Sequence, residues 1–364
     1  MLSVRLAPLL LHWFDANKRP FPWRKDRDPY RIWVSEVMLQ QTVAATVIPF
    51  FERFLERFPN VESLALAQVD EVLHHWQGLG YYRRARLLHQ AAQKLVSLGH
   101  KTLPDDSGLV RELPGLGRYS TNAILSQAYG RQLPILEANT FRLLARLFGL
   151  LDDPRSKSSE VWLWEAADAL VPGDRPGDFN QALMELGSQI CLKDSPTCLV
   201  CPAQGSCVAN LCGLQSKIPN SPPKAPATAV SEVAVSIVDE QNRWLVVRRP
   251  PEGRWGLMWE FPRVEINPGE AIMGAIQRAA LGLAGLSLVN LKKATRIQYA
   301  VTRFKVNLQL WTAGMAFPQE KVVLSFHSES AWVNPGEFAL LAAPTPQRRL
   351  MGWIREKYSP DRPG

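Results

Sequence analysis

The chain has 364 residues, of which 46% are hydrophobic and 21% charged, and its formal net charge is +8. Such a length and composition describe a globular protein long enough for two domains, and exclude a disordered or fibrous chain. The positive balance favours an anionic partner, and nucleic acid over a membrane surface, since the sequence has no polybasic amphipathic stretch and no apolar run of membrane-spanning length.

The apolar start Met1-Leu2-Ser3-Val4-Arg5-Leu6 is interrupted at Pro8 and His12 and lacks a small-residue cleavage site. It reads as the lead into a first amphipathic helix over 7–17 rather than a signal peptide, so a cytoplasmic protein is expected. A long helical pattern then covers 28–58. Within it Glu36 shares a face with Ile32, Trp33, Leu39 and Gln40, a mostly apolar setting. Burial there would disfavour the charged carboxylate and keep an acid protonated, although a salt-bridged structural glutamate would fit the same pattern.

Further helices are expected over 69–76 and after Gly80-Tyr81-Tyr82, where Arg83, Arg84 and Arg86 follow. Leu113-Pro114-Gly115-Leu116-Gly117 has the form of a helix–hairpin–helix turn. Gly115 and Gly117 would let the backbone turn tightly and bring N–H groups of the next helix close to a DNA phosphate. An apolar run, 123–128, comes next. Glu137 precedes a helix expected to begin near Thr140 with Asn139 as its N-cap, which puts a second carboxylate beside a positive helix end that favours its ionised form. Two carboxyls with pKa values pushed apart would supply an acid and an anion to one reaction centre. Helices at 160–170 and 179–190 lead to the cysteines.

All five cysteines fall between Cys191 and Cys212. Clustering of this kind indicates a metal site in a reducing compartment rather than a disulfide framework. Cys191, Cys198, Cys201 and Cys207 form C-x6-C-x2-C-x5-C, a thiolate quartet suited to a [4Fe–4S] cluster or to tetrahedral zinc; Cys212 lies outside the pattern.

Composition shifts at 217–228, where four prolines read as a linker. Beyond it the period becomes two. Residues 233–238 and 244–249 predict a β-hairpin, 269–284 a helix, 293–301 and 305–312 strands, and 347–357 a final helix. The expected architecture is an all-α domain over 1–216, the linker, and a smaller α+β domain over 229–364.

Several of these stretches together resemble one family. Pro22-Trp23-Arg24, the segment from Trp33 to Thr42, Gly78-Leu79-Gly80-Tyr81-Tyr82, the hairpin and the cysteine quartet are similar, in order, to the catalytic half of MutY-type adenine DNA glycosylases of the helix–hairpin–helix superfamily. Trp255-Gly256-Leu257 and Trp259-Glu260-Phe261-Pro262 resemble that family's C-terminal Nudix-like domain. The resemblance implies a [4Fe–4S] cluster on the four cysteines and a duplex-DNA substrate in which adenine is mispaired with 8-oxoguanine or guanine. It implies a monomer acting on the nucleoid, with Glu36 as general acid and Glu137 as oxocarbenium stabiliser or nucleophile. Tyr119 and Asn139 match residues lining that site, while Arg24, Leu39, Gln41 and Tyr81 match residues that contact or wedge into DNA. Tyr119 stands where a bifunctional relative carries a lysine, which implies a glycosylase without strong strand cleavage. Arg278-Ala279-Ala280-Leu281-Gly282 lacks the glutamates that a working Nudix hydrolase uses to hold metal. Two departures stand out. Leu136-Glu137-Ala138-Asn139 replaces the family's Val-Asp-Gly-Asn, and Val301-Thr302-Arg303 replaces its Phe-Ser-His loop, so a shifted base or opposite-base preference, or a weakly catalytic lesion binder, is an alternative.

Overall fold

The computed structural model describes residues 2–154, 156–220, 226–317 and 321–358. The chain divides into two compact units, one of Met1–Leu66 with Leu87–Lys224 and a second of Ala67–Arg86 with Ala225–Gly364. Of the expected linker, 221–225 lie outside the described residues. The segment 67–86, which sequence order assigns to the first domain, groups with the second unit.

The first unit is helical. Among its elements are α1 (Leu2–Asn17), α2 (Pro29–Leu39), α3 (Ala44–Arg57), α4 (Val61–Leu66), α6 (Arg83–Ser97, entering from the second unit), α7 (Ser107–Arg111) and α8 (Arg118–Tyr129). They are followed by α9 (Ala138–Phe148), α10 (Lys157–Leu170), α11 (Pro176–Gln189) and the short α12 (Val208–Leu211). Apolar residues three to four apart make one face of each core helix. Leu6, Leu10 and Phe14 of α1 meet Leu143, Leu144 and Leu147 of α9 and Phe179, Leu183 and Leu186 of α11 in one buried cluster.

The long pattern expected over 28–58 is two helices. Asp28 caps α2 by accepting from the N–H groups of Tyr30 and Arg31, whereas Gln41 takes a left-handed conformation (φ 60°) that no α-helix can continue. Periodicity did not reveal this break, because glutamine carries no breaker signature. The hairpin between α7 and α8 turns through Gly115 at φ 81°, where a Cβ would also stand 2.9 Å from Leu87. Gly117 ends the turn as the extended N-cap of α8.

In the second unit α5 (Val69–His75) accompanies a seven-stranded sheet: β1 (Thr228–Val238), β2 (Trp244–Arg248), β3 (Trp259–Glu260), β4 (Arg263–Glu265), β5 (Leu288–Val301), β6 (Phe304–Met315) and β7 (Glu329–Val333). The expected hairpin of β1 and β2 is held by one pair, Val238 with Trp244. On one side β1 also pairs with β4 over 232–234, and on the other it runs parallel to β6 over its whole length. This non-local pairing has no signature in local alternation. The helix expected over 269–284 is α13 (Ile272–Gln277) followed by a π-helical turn over Arg278–Gly282. Two further helices close the unit, α14 (Pro335–Leu340) and α15 (Thr345–Tyr358). No described helix is long and apolar enough to cross a membrane.

Candidate active site and cysteine pocket

Glu36 is buried on α2, only 4% exposed, and lines a cleft of about 620 Å³ in the first unit. Its neighbours are the helix–hairpin–helix residues of α8: Tyr119 Oη donates to Oε2 at 3.1 Å, and Gln127 Nε2 donates to Oε1 at 2.9 Å. Burial pushes the Glu36 carboxyl above its ordinary range. The two donors pull it back, nearby Glu137 pushes it further up, and Arg24 opposes. Tyr119 is itself pushed well above the usual phenol range, first by burial and then by the two carboxylates.

Glu137 lines the same cleft. The structure corrects the sequence reading of its surroundings, because the N-cap of α9 is Glu137 itself and not Asn139. The Glu137 carboxylate accepts from the backbone N–H of Asn139 at 2.9 Å and of Thr140 at 3.0 Å, while Thr140 Oγ1 accepts from the Glu137 N–H in a capping box. These donors favour the anion, yet partial burial outweighs them and the Glu137 carboxyl also lies above its ordinary range. Both carboxyls are therefore raised, and what separates them is their donors. Neutral side chains serve Glu36, whereas two helix N–H groups and nearby Arg142 serve Glu137.

Asn139 lines the cleft beside Glu137. A Cβ on Gly187 of α11 would come within 2.8 Å of the Asn139 side chain, so glycine lets α11 approach this closely. Arg142 secures the arrangement by donating to Asn139 Oδ1 at 3.1 Å, the Gly187 carbonyl at 2.6 Å and the Cys191 carbonyl at 2.8 Å.

Arg24, Leu39 and Gln41 line the cleft too. Arg24 Nη1 donates to Glu185 Oε1 at 2.7 Å, and Arg19 Nε donates to the other oxygen at 2.8 Å. Tyr81, Gly115, Gly117, Thr302 and Arg303 are not among the lining residues. Tyr81 is 45% exposed in a left-handed conformation next to the Gly78–Gly80 turn. Thr302 and Arg303 form the exposed turn joining β5 to β6. The Thr302 hydroxyl is used locally on the Val301 carbonyl, and the Arg303 guanidinium lies 5.2 Å from the Phe304 ring centre. Sequence reasoning missed Arg19, Gln127, Arg142 and Glu185. For Gln127 a signal existed: an amide inside the apolar run 123–128, eight residues after Tyr119 and so on the same helical face.

Cys191, Cys198, Cys201 and Cys207 surround one cavity, together with Leu143, Arg146 and Leu147 of α9. None is in a disulfide, and Cys212 does not line the cavity. Among the described residues no group of three or more His, Cys, Asp or Glu side chains is arranged to hold a metal ion. Four soft thiol donors around a shared space fit a polynuclear iron–sulfur group. Arg146 braces the pocket by donating to the carbonyls of Ile218, Leu192 and Lys193 and lying 3.4 Å from Cys191 Sγ.

The family profile described as "HhH-GPD superfamily base excision DNA repair protein" matches residues 34–168, and that of a "NUDIX domain" matches 233–353. The chain is 32% identical to the adenine DNA glycosylase of Homo sapiens, over 94% of this chain and 72% of that protein. The chain belongs to the adenine DNA glycosylase family. Within that family the adenine DNA glycosylase of Buchnera aphidicola subsp. Baizongia pistaciae is 28% identical and aligns over 98% of both chains. Among solved structures, a thermostable thymine-DNA glycosylase has a TM-score of 0.52 at 28% identity, covering 57% of this chain and 96% of its own. This adenine DNA glycosylase family member thus joins a helix–hairpin–helix glycosylase domain to a C-terminal Nudix-like domain, the fold class expected from sequence.

Proposed function

We infer that the chain is a base-excision-repair enzyme that hydrolyses the N-glycosidic bond of adenine in duplex DNA, where adenine lies opposite 8-oxoguanine or guanine. The observation that carries this reading is the buried Glu36, held at both oxygens in the cleft it shares with Glu137. Adenine first leaves the stack to reach the cleft. Glu36 then gives its proton to a ring nitrogen of the base, the C–N bond breaks, and the electron pair departs with adenine. The sugar becomes an oxocarbenium-like cation beside Glu137, whose charge is held in place by the helix N–H groups of Asn139 and Thr140. Water adds to the sugar carbon, and its released proton restores Glu36. With Tyr119 and no lysine at the start of α8, no Schiff base forms and the strand is left intact at the abasic site.

Cys191, Cys198, Cys201 and Cys207 would hold the [4Fe–4S] cluster found at this spacing in the family. The cluster would tie Cys191, just after α11, to the loop carrying Cys198, Cys201 and Cys207 through thiolate bonds, and no step of the hydrolysis runs through it. In the second unit Arg278 is paired with Glu270 at 2.6 Å. With Ala279, Ala280 and Gly282 nearby in place of carboxylates, this unit serves lesion reading rather than nucleotide hydrolysis. The enzyme works as a monomer on the nucleoid.

Purified protein incubated with a duplex containing adenine opposite 8-oxoguanine should leave an abasic site, and Glu36→Gln should abolish this. Undiminished excision by the variant would refute the acid assignment. Glu137 and Arg303 favour a second reading, in which base or opposite-base preference has shifted. Across a panel of mispaired duplexes, faster excision from any pair other than adenine with 8-oxoguanine would select it. Tight mismatch binding with no base released in a single turnover would select a lesion-binding protein.

A further inference from the structure

Gln127 is a feature of the acid's surroundings that hydrophobic packing leaves unexplained. It is 8% exposed on α8 and directly follows the buried stretch Ala123-Ile124-Leu125-Ser126. A leucine would fill such a position at no electrostatic cost, whereas a buried amide is unfavourable unless it is hydrogen-bonded. Its Nε2 is 2.9 Å from Glu36 Oε1, in the same cleft. We propose that Gln127 is a positioning residue for Glu36, fixing the plane of the carboxyl and setting the pH range over which the acid keeps its proton. This inference rests on the reading of Glu36 as general acid.

A carboxyl offers about four lone-pair sites, two per oxygen. Tyr119 occupies one on Oε2 and Gln127 one on Oε1, which leaves one on each oxygen for the transferable proton and for the base. As Glu36 releases its proton it becomes a carboxylate, and hydrogen bonds donated to it become charge-assisted and stronger. The Gln127 amide therefore gains most at the transition state and afterwards, the condition under which a contact accelerates a reaction. The other ionisable groups facing Glu36 are Tyr119 on α8, Glu137 at the start of α9, and Arg24 in the turn before α2; burial raises the carboxyl, and the Gln127 hydrogen bond opposes that rise more strongly than Tyr119 or Arg24 does. α3 brings no ionisable side chain to the cleft, and α11 brings Glu185, which is paired with Arg19 and Arg24.

Gln127→Leu keeps the volume and removes the donor. In the full-length protein, single-turnover excision from the 8-oxoguanine·adenine duplex is followed against pH. Glu36 must be protonated to act, so the rate falls as pH rises through its titration. The leucine variant should lose about tenfold in maximal rate, and its pH of half-loss should move up by about one unit. A uniform fall in rate with an unmoved pH profile would assign Gln127 to packing and overturn the proposal. Infrared titration of the Glu36 carboxyl band, identified by its loss in Glu36→Gln, reads the same quantity without catalysis. The band should persist to higher pH in the leucine variant, and coincident titrations would overturn the proposal. Absence of excision by the unmodified protein would instead refute the functional reading, with the infrared comparison still deciding the role of Gln127.

Discussion

Glu185 offers a quantitative test of how the cleft is held together. Its side chain is 1% exposed, and it is paired with Arg24, 14% exposed, at 2.7 Å and with Arg19, 42% exposed, at 2.8 Å. Gln189 also donates to it. Glu185→Ala leaves the Arg24 guanidinium desolvated, with the Arg19 carbonyl, 3.0 Å from Nη1, as its remaining acceptor. Breaking a buried pair by removing one partner costs about 3–5 kcal/mol. The pair with Arg19 adds little, because solvent screens it, and water entering the open cleft favours the lower end, about 3 kcal/mol. For a unit of this size each kcal/mol moves Tm by about 2–4 °C, so a fall of roughly 6–12 °C is expected in thermal denaturation of the full chain followed by circular dichroism. Glu185→Gln keeps the shape and an acceptor oxygen and should lose roughly half as much. A Tm for Glu185→Ala within about 2 °C of the unmodified protein would refute the claim that Glu185 balances a buried Arg24.

Glu36→Gln should change stability in a pH-dependent way. Burial raises the folded Glu36 carboxyl above its unfolded value, so the unmodified protein loses stability as pH climbs from the ordinary glutamate range through the folded value, and the amide does not. Tm of the variant minus that of the unmodified protein should grow as pH rises from the ordinary glutamate range; a constant difference would contradict the burial argument. Glu137→Gln retains an acceptor for the α9 N–H groups and should cost no more than about 1 kcal/mol. Its single-turnover excision should nonetheless fall at least about a hundredfold, and a rate within a few-fold would remove Glu137 from the chemistry. Arg146→Ala deletes donors to three loop carbonyls and should cost at least about 3 kcal/mol, with iron per chain and visible absorbance falling together. Full iron content in that variant would show that the cysteines need no brace.

Glu36 was legible because a carboxylate on an apolar helix face is anomalous in any sequence, and the cysteine quartet because metal-ligand spacing is local. The cap of α9 was misread for a physical reason. Asn139 is the better capping residue by type, but the Glu137 carboxylate, turned back over its own backbone, reaches two N–H groups of the first turn. Gln127 was hidden among apolar neighbours because its partner lies 91 residues away. Equally, the pairing of β1 with β6 depends on contacts about 76 positions apart, such as Thr228 with Phe304, which alternation along either strand cannot encode. What the sequence could not supply was distance.

The break at Gln41 has a mechanical consequence. Because α2 ends at Leu39 rather than running on into α3, the helix terminates in the cleft while Glu36 is still on it. Leu39 lies three residues from the acid, about 4.5 Å along a rigid helical axis. If, as proposed, a DNA strand contacts Leu39, its push would be felt at the acid through the same helical segment, whereas a contact at Gln41, beyond the break, would not. On the proposed function, engagement of the duplex at Leu39 and alignment of the proton donor would then be a single movement, like the tip and shaft of a probe. A flexible insertion between Leu39 and Val43 should leave Leu39 and Glu36 where they are and shift only Gln41 and the start of α3 away from them.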